Sequence, residues 1–478
     1  MLSIGQSSAM FFGQLGLVVA DEVALKQLWS FRGASATLPC FFCRNLCSWS
    51  SQLHEHDDSG SLVPLTVSTL DAVVPHTNET LLEAASLLLR RKPALSKTAF
   101  TSLEQSVGLT FSPEGALWSN GLFNDMRGGG PLTCTQYDWM HCFLVSGIWN
   151  AEAGLLFGAL AGTAANCVSF DSWLQSCVWP KSLSSRGVTG KQALKKRTAT
   201  DSSDVKTSAS EGLTLYPLLR LFLMETLEAP DASVAPAVQS YYALSRVLDL
   251  LVRLRNHSVD SSELRAAISA HLQRRLLVYG PSAFTPKCHY ALHFPSFVDS
   301  HGRLVACWTH ERKHKEVKRH GNQLANANKS LSFEKSLLSQ AVLSQLLHLK
   351  EFSAVGGVQL VAPQDASSDI ASSIMTFLGE YAQAQVSASL EAMLKHGELC
   401  ARGDVVLAHS SDEGKFIGMV WFHVSISGAH FTLLAKWHAL GRNVFKMLDA
   451  PSWVETVNVS RTCVYRVHKD MVHASVAP

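Results

Sequence analysis

Cys288-His-Tyr-Ala-Leu-His293, followed by Trp308-Thr-His-Glu311-Arg-Lys-His-Lys-Glu-Val-Lys318-Arg319, is the stretch on which the reading of this chain turns. The second phrase sets Glu311 inside a run of cations with the spacing of a helix. An acid held among Lys and Arg fits a site where carboxylates take a divalent cation and the bases take phosphates. Upstream, Tyr137-Asp138-Trp-Met-His141 supplies another carboxylate in an apolar setting. The two phrases together predict a metal-dependent nucleic-acid enzyme or the remnant of one.

Working outward, 478 residues provide for two to four domains, each with its own core. An apolar fraction of 47% and a charged fraction of 17% exclude a disordered chain. A net charge of +2 says nothing by itself about nucleic acid, but residues 191–197 and 312–320 are locally basic. Such segments also point to a nuclear location. The 11 cysteines are scattered except for Cys40, Cys43 and Cys47, which fits a reducing compartment rather than a disulfide scaffold. Residues 1–20 carry an apolar run without a basic start, so no secretory signal is expected. The stretch Leu213 to Leu227 comes nearest to a membrane span and is interrupted by Pro217 and Arg220. A soluble intracellular protein with no membrane partner is the expectation.

Six segments are predicted. Residues 1–60 read as a strand over Leu15 to Ala20, a helix from Asp21, and then the cysteine group, a zinc-knuckle candidate. Residues 61–181 hold an amphipathic helix at Thr80 to Arg91, stopped by Pro93, and a helical pattern from Gln136 to Leu160. Residues 182–277 read as a polar loop followed by helices from Leu213 to Leu277. A helix over Ser332 to Phe352 closes the segment 278–352, and 353–399 reads as a helical linker. Residues 400–478 are rich in Val, Phe and Trp, with Ser427-Gly428 as a hairpin turn, and predict a small antiparallel β domain.

For the chemistry, Asp138-x-x-His141 alone is most often a structural helix cap. Glu311 strengthens a functional reading, because phosphoryl transfer by two metal ions draws its carboxylates from distant positions in the chain. Cys40-x-x-Cys43 is half a zinc site, with Cys47, His54 or His56 available to complete it. No Gly-Lys-Ser/Thr follows the glycines at 128–130, and no Gly-x-Ser-x-Gly elbow occurs, which excludes a P-loop and argues against a serine hydrolase. Trp139, Trp149 and Trp173 read as core.

Three phrases, in order, resemble eukaryotic DDE transposases of the CACTA/EnSpm kind. They are Pro39-Cys40-Phe-Phe-Cys43, Asp138-Trp-Met-His141, and Pro286-Lys-Cys-His289-Tyr-Ala-Leu-His293 leading through Gly302 to Glu311. The resemblance covers roughly residues 10–350. It implies an α/β plus α fold: a partial RNase H-like core from 61–181 and 278–352, a large helical insertion, and the separate β domain. It implies that Asp138 and Glu311 hold Mg²⁺ or Mn²⁺, that His141 supports catalysis, and that the cysteine pair binds Zn²⁺. His289 is expected to contact phosphate, and Lys313, Lys315, Lys318 and Arg319 to track the DNA backbone, with self-association an option. A Gly-containing strand is expected between the histidine phrase and Glu311. The first acid of the family is expected to be missing, since Asp21 aligns with a later, non-catalytic residue. The expected function is a transposase-derived DNA-binding protein with catalysis impaired or lost. The alternative is a non-catalytic DNA-binding or scaffold protein with a structural zinc site.

Overall fold

The computed structural model describes residues 2–4, 7–9, 16–118, 130–184, 194, 198, 200–227, 230–254, 259–308, 317–319, 321–322, 333–352, 357–379, 385–395, 397–410, 414–441, 443–468 and 471–475. These divide into two units. The first comprises residues 1–160, 200–213 and 229–309, and the second 161–199, 214–228 and 310–478.

In the first unit, β1 (Leu2–Ile4) and β2 (Ser7–Ala9) form a small hairpin. The predicted strand before Asp21 forms as β3 (Val18–Ala20). Asp21 then caps α1 (Glu22–Trp29): its side chain accepts from the Ala24 amide at 2.7 Å. Leu25 and Trp29, four apart, fall on one face and are buried. The cysteine segment carries β4 (Leu46–Cys47), paired in parallel with β5 (Val63–Pro64). Helix α2 (Asn78–Arg91) starts at a capping box between Thr77 and Thr80 and buries Leu81, Ala85 and Leu88. Helix α3 (Lys97–Val107) ends on Gly108 in the left-handed conformation.

The sequence pattern reads as helical from Gln136, but Thr135–Tyr137 is a strand, β6, parallel to β3 with Ala20 opposite Tyr137. The two periods are indistinguishable over three residues buried on both faces. Helix proper begins after Asp138, as α4 (Trp139–Phe143) and α5 (Ile148–Ala159). Trp139–Ala159 has the length and composition of a membrane span, yet it breaks at Gly147 and 67% of its most apolar window is buried inside the protein.

The helical stretch resolves into separate helices. Of these, α9 (Ala235–Arg253) and α10 (Ser261–Tyr279) pack together within the first unit. Both close on Glu152 of α5, whose Oε1 accepts from Ser240 Oγ at 2.6 Å and whose Oε2 meets Arg275 Nη1 and, at 3.4 Å, His271 Nε2. Burial disfavours that charge, but His271, Arg275 and Ser240 outweigh it and hold the carboxyl at about 2. The unit ends with α11 (Pro286–Ala291) and α12 (Phe294–His301). Residues 302–306 follow as irregular backbone, where a Gly-containing strand was expected; Gly302 takes the left-handed conformation that ends α12.

The second unit contains α6 (Cys167–Ser176), α7 (Lys181–Ser184) and most of α8 (Ala209–Thr226), which continues through Pro217. After α13 (Phe333–Phe352) come β7 (Gln359–Val361), β8 (Gln364–Asp365) and α14 (Ser368–Leu378). The predicted helical linker at 353–399 thus belongs largely to the β domain, which starts near residue 359 rather than 400. Three-residue strands are too short to announce themselves by alternation. The remaining strands are β9 (Val386–Ser389), β10 (Glu391–Met393), β11 (Leu399–Ala401), β12 (Val405–Ser410), β13 (Gly414–Ile426), β14 (Ala429–Gly441), β15 (Val444–Glu455), β16 (Val459–Cys463), β17 (Tyr465–His468) and β18 (Met471–Ala474).

Among the described residues, nine strands form a curled half-barrel sheet in the order β16-β12-β13-β14-β15-β18-β17, with β9 and β8 joined through β13. The predicted hairpin turn is present: Ser427 (φ 50°) and Gly428 (φ 83°) join β13 to β14. Helices α6 and α8 are tied to this sheet by Glu225, which accepts from Trp173 Nε1 at 2.8 Å and Arg466 Nη1 at 3.0 Å. The fold class is therefore mixed α/β with a β domain. That domain recruits helices from a distant part of the chain.

Candidate metal centre

Cys40 and Cys43 flank a tight turn in which the Phe42 amide donates to Cys40 Sγ at 3.4 Å. On the other side, Pro286 opens α11 at a position where its missing N–H costs nothing. His289 and His293 then lie one turn apart and project the same way. The four side chains converge. Cys43 Sγ lies 3.2 Å from His289 Nε2 and 3.4 Å from His293 Nε2, Cys40 Sγ lies 3.3 Å from His293 Nε2, and the two Nε2 atoms are 3.1 Å apart.

All four donor atoms fall within 4.8 Å of one another and all four residues are buried. Bonds of about 2.3 Å to sulfur and about 2.0–2.1 Å to nitrogen give tetrahedral edges of about 3.3–3.8 Å, close to the spacings observed. Two thiols and two imidazoles aimed at one point match a borderline-soft ion such as zinc, and match Mg²⁺ poorly. Burial opposes charge on the thiols. For Cys40, hydrogen bonding from Cys43 and the positive potential of His293 and His289 overcome it, so its thiol sits well below the usual range.

This set corrects the sequence expectation. The donors that converge with Cys40 and Cys43 are His289 and His293, not Cys47 and His54. Cys47 is buried with Sγ turned to the Val63 carbonyl at 3.5 Å; His54 Nδ1 stands 4.0 Å from it, and both lie outside the four-donor group. His289, expected to contact phosphate, is fully buried against Cys43 and cannot reach a nucleic-acid backbone. The available signal was the Cys-x-x-Cys and His-x-x-x-His pair of spacings, which no local pattern joins across the intervening residues.

Comparison with family models, with curated proteins and with solved structures returns no match.

Two tyrosines connect the centre to a second feature. Tyr290 donates from its hydroxyl to the Pro39 carbonyl at 2.8 Å, and its ring stacks on Tyr137 at 4.4 Å. Tyr137 ends β6, so Asp138 follows it directly, just as Asp21 follows β3; the Asp138 amide donates to the Ala20 carbonyl at 3.1 Å. Asp21, Glu22, Asp138, His141, Lys287 and Tyr290 line one cavity of about 210 Å³.

Asp138 is 2% exposed. Its Oδ1 accepts from the amides of Met140 at 3.1 Å and Cys307 at 3.2 Å, and its Oδ2 from the His141 amide at 3.4 Å and from His141 Nδ1. Lys287 Nζ donates to the carbonyls of His141, Val145 and Ser146 at 2.8–3.0 Å, holding the end of α4 in place. Sequence reasoning left Asp21 outside the site, yet the parallel pairing of β3 and β6 sets both aspartates at the same end of the strands. Lys318 and Arg319 are exposed, while Glu311, Lys313 and Lys315 lie outside the described residues.

Proposed function

We propose that this chain is a transposase-derived protein of the DDE kind, its first unit the metal-tied remnant of an RNase H-like core, which binds DNA with strand cleavage impaired. The observation that carries this reading is that Cys40-x-x-Cys43 and His289-x-x-x-His293, two of the phrases bearing the family resemblance, converge on one buried four-donor group. Nothing in their separation along the chain requires them to meet. A bound zinc would supply a fixed tetrahedral cross-link between the two segments, with Cys40, Cys43, His289 and His293 as its holders.

The state of Asp138 supports impaired cleavage. Two-metal phosphoryl transfer needs carboxylate lone pairs open toward the ions. Three backbone amides and an imidazole already occupy the oxygens of Asp138, and that is the bonding of a buried helix cap. DNA contact would fall to Lys318 and Arg319, which are exposed, and to Lys313 and Lys315 in the same basic run.

A second reading has one observation in its favour. Asp21 and Asp138 follow neighbouring parallel strands and line one cavity, an arrangement that offers two carboxylates to a Mg²⁺ or Mn²⁺ ion. The test is salt-dependent binding of duplex DNA by the purified chain, with Mg²⁺- or Mn²⁺-dependent nicking measured beside it. Binding without nicking is the expected result. Nicking abolished in both Asp138→Ala and Glu311→Ala establishes the second reading instead. Absence of DNA binding even at low salt removes both and leaves a zinc-stabilised scaffold.

A further inference from the structure

Beside the metal donors, within the first unit, opens a cavity of about 930 Å³. One wall is a single face of α12, on which His293, Ser296, Phe297, Ser300 and His301 recur at helical spacing. Facing it is Phe42, whose ring lies 5.2 Å from Phe297 and 5.2 Å from His293. Phe41 and Tyr137 pack against the same ring at 5.4 Å and 5.3 Å. Although four aromatic rings surround it, Phe42 remains only partly buried. A ring fixed by its neighbours and still partly accessible is a stacking platform whose rotamer entropy is already spent.

The polar groups have a distinct character. Serine hydroxyls and imidazoles line the helical wall, and Asn78 and Thr133, whose amide and hydroxyl meet at 3.5 Å, line the cavity as well. Among the described residues no Lys or Arg lines the cavity, and their one carboxylate is that of Glu79. A phosphate placed inside would find no counter-charge and one repelling group. A flat, uncharged heterocycle would find ring faces to stack on and hydroxyl, amide and imidazole groups to hydrogen-bond along its edge.

We propose that this cavity receives an unpaired nucleobase from a single nucleic-acid strand, stacked on Phe42, with the sugar-phosphate backbone left outside. The inference rests on the nucleic-acid reading above and gives it a second contact, one that senses bases rather than charge. It also assigns the metal centre a consequence for binding, because Cys43 and His293 hold Phe42 and α12 at the distance that keeps the cavity open.

The experiment compares, at low salt and on the full chain, a labelled short oligothymidine with an abasic strand of the same length and charge. The same pair is run on Ser296→Leu and Ser300→Leu, which fill the cavity from partly or fully exposed positions and spare the four metal donors. The thymidine strand is expected to bind about tenfold more tightly than the abasic one, with the difference abolished in both variants and abasic affinity unchanged. Equal binding of the two strands by the unmodified chain overturns the base pocket and leaves DNA binding standing. A preference that survives both cavity-filling changes places base contact elsewhere and overturns it too. If neither strand binds, the nucleic-acid reading falls together with the pocket.

Discussion

Cys43 Sγ lies 3.2 Å from His289 Nε2, across 246 positions of sequence. A contact of that range closes a very long loop, and an ion bound there is folding free energy as well as ligation. Purified chain is expected to carry one zinc. Cys43→Ser and His289→Ala should each lose it and lower the melting temperature by about 10 °C or more. Cys47→Ser and His54→Ala should keep the metal. Elemental analysis with thermal melting checks this, and metal retained by the Cys43 and His289 variants would refute the four-donor assignment.

Asp138 joins the end of β6, the start of α4 and the Cys307 amide through one carboxylate. Replacing it by Ala leaves three buried amides short of an acceptor, at a cost on the order of 2–4 kcal/mol. Asp138→Asn, which keeps one acceptor oxygen, should cost less. Chemical denaturation of both variants measures the difference. A neutral or stabilising Asp138→Ala would indicate an acid kept for cation binding at the expense of the fold.

The Glu152, His271 and Arg275 group is buried among α5, α9 and α10. Removing one partner strands the others without solvent, so Glu152→Ala should destabilise by about 3–5 kcal/mol. The carboxyl of Glu152 is held at about 2 in the folded protein against an ordinary value near 4.5. A depressed carboxyl contributes stability that is complete above pH 4.5 and is lost as pH falls toward 2. Urea midpoints between pH 2 and 5 should therefore slope less in Glu152→Gln, which has no charge to lose, than in the unmodified chain.

His423, on β13, is fully buried, with Nδ1 at 2.9 Å from Thr432 Oγ1 and Nε2 at 3.2 Å from the Cys400 carbonyl. Burial lowers its pKa from 6.5 to about 4. The unfolded chain then takes up a proton at higher pH than the folded one, so stability is complete above pH 6.5 and falls as pH drops toward 4, by on the order of 3 kcal/mol. His76 in the first unit, also lowered to about 4 by burial, acts in the same direction. Urea midpoints between pH 4 and 7 should slope less in His423→Gln than in the unmodified chain. Parallel slopes would count against the buried neutral imidazole.

For DNA, Lys318→Ala and Arg319→Ala should each weaken duplex binding uniformly across sequences. Each should also reduce the slope of log affinity against log salt by about 1. An unchanged slope in both would remove the basic run from the interface.

What the sequence determined by itself was local. Asp21 announced a helix start, and leucine spacing announced the helices. Ser427-Gly428 announced the hairpin, because each of these signals acts within a few residues of its effect. Cys40-x-x-Cys43 likewise announced a metal site. The tertiary structure alone decided what completes it: which histidines join two thiols depends on how α11 packs, and the nearer His54 was the natural choice on spacing. The short β6 was hidden for the same reason, since three residues become a strand through pairing with β3 rather than through their own pattern. That pairing also placed Asp21 beside Asp138, and packing turned Asp138 from an open acid into a buried cap. Long-range contacts of this kind are set by the free energy of burying the whole core, which no short window of sequence contains.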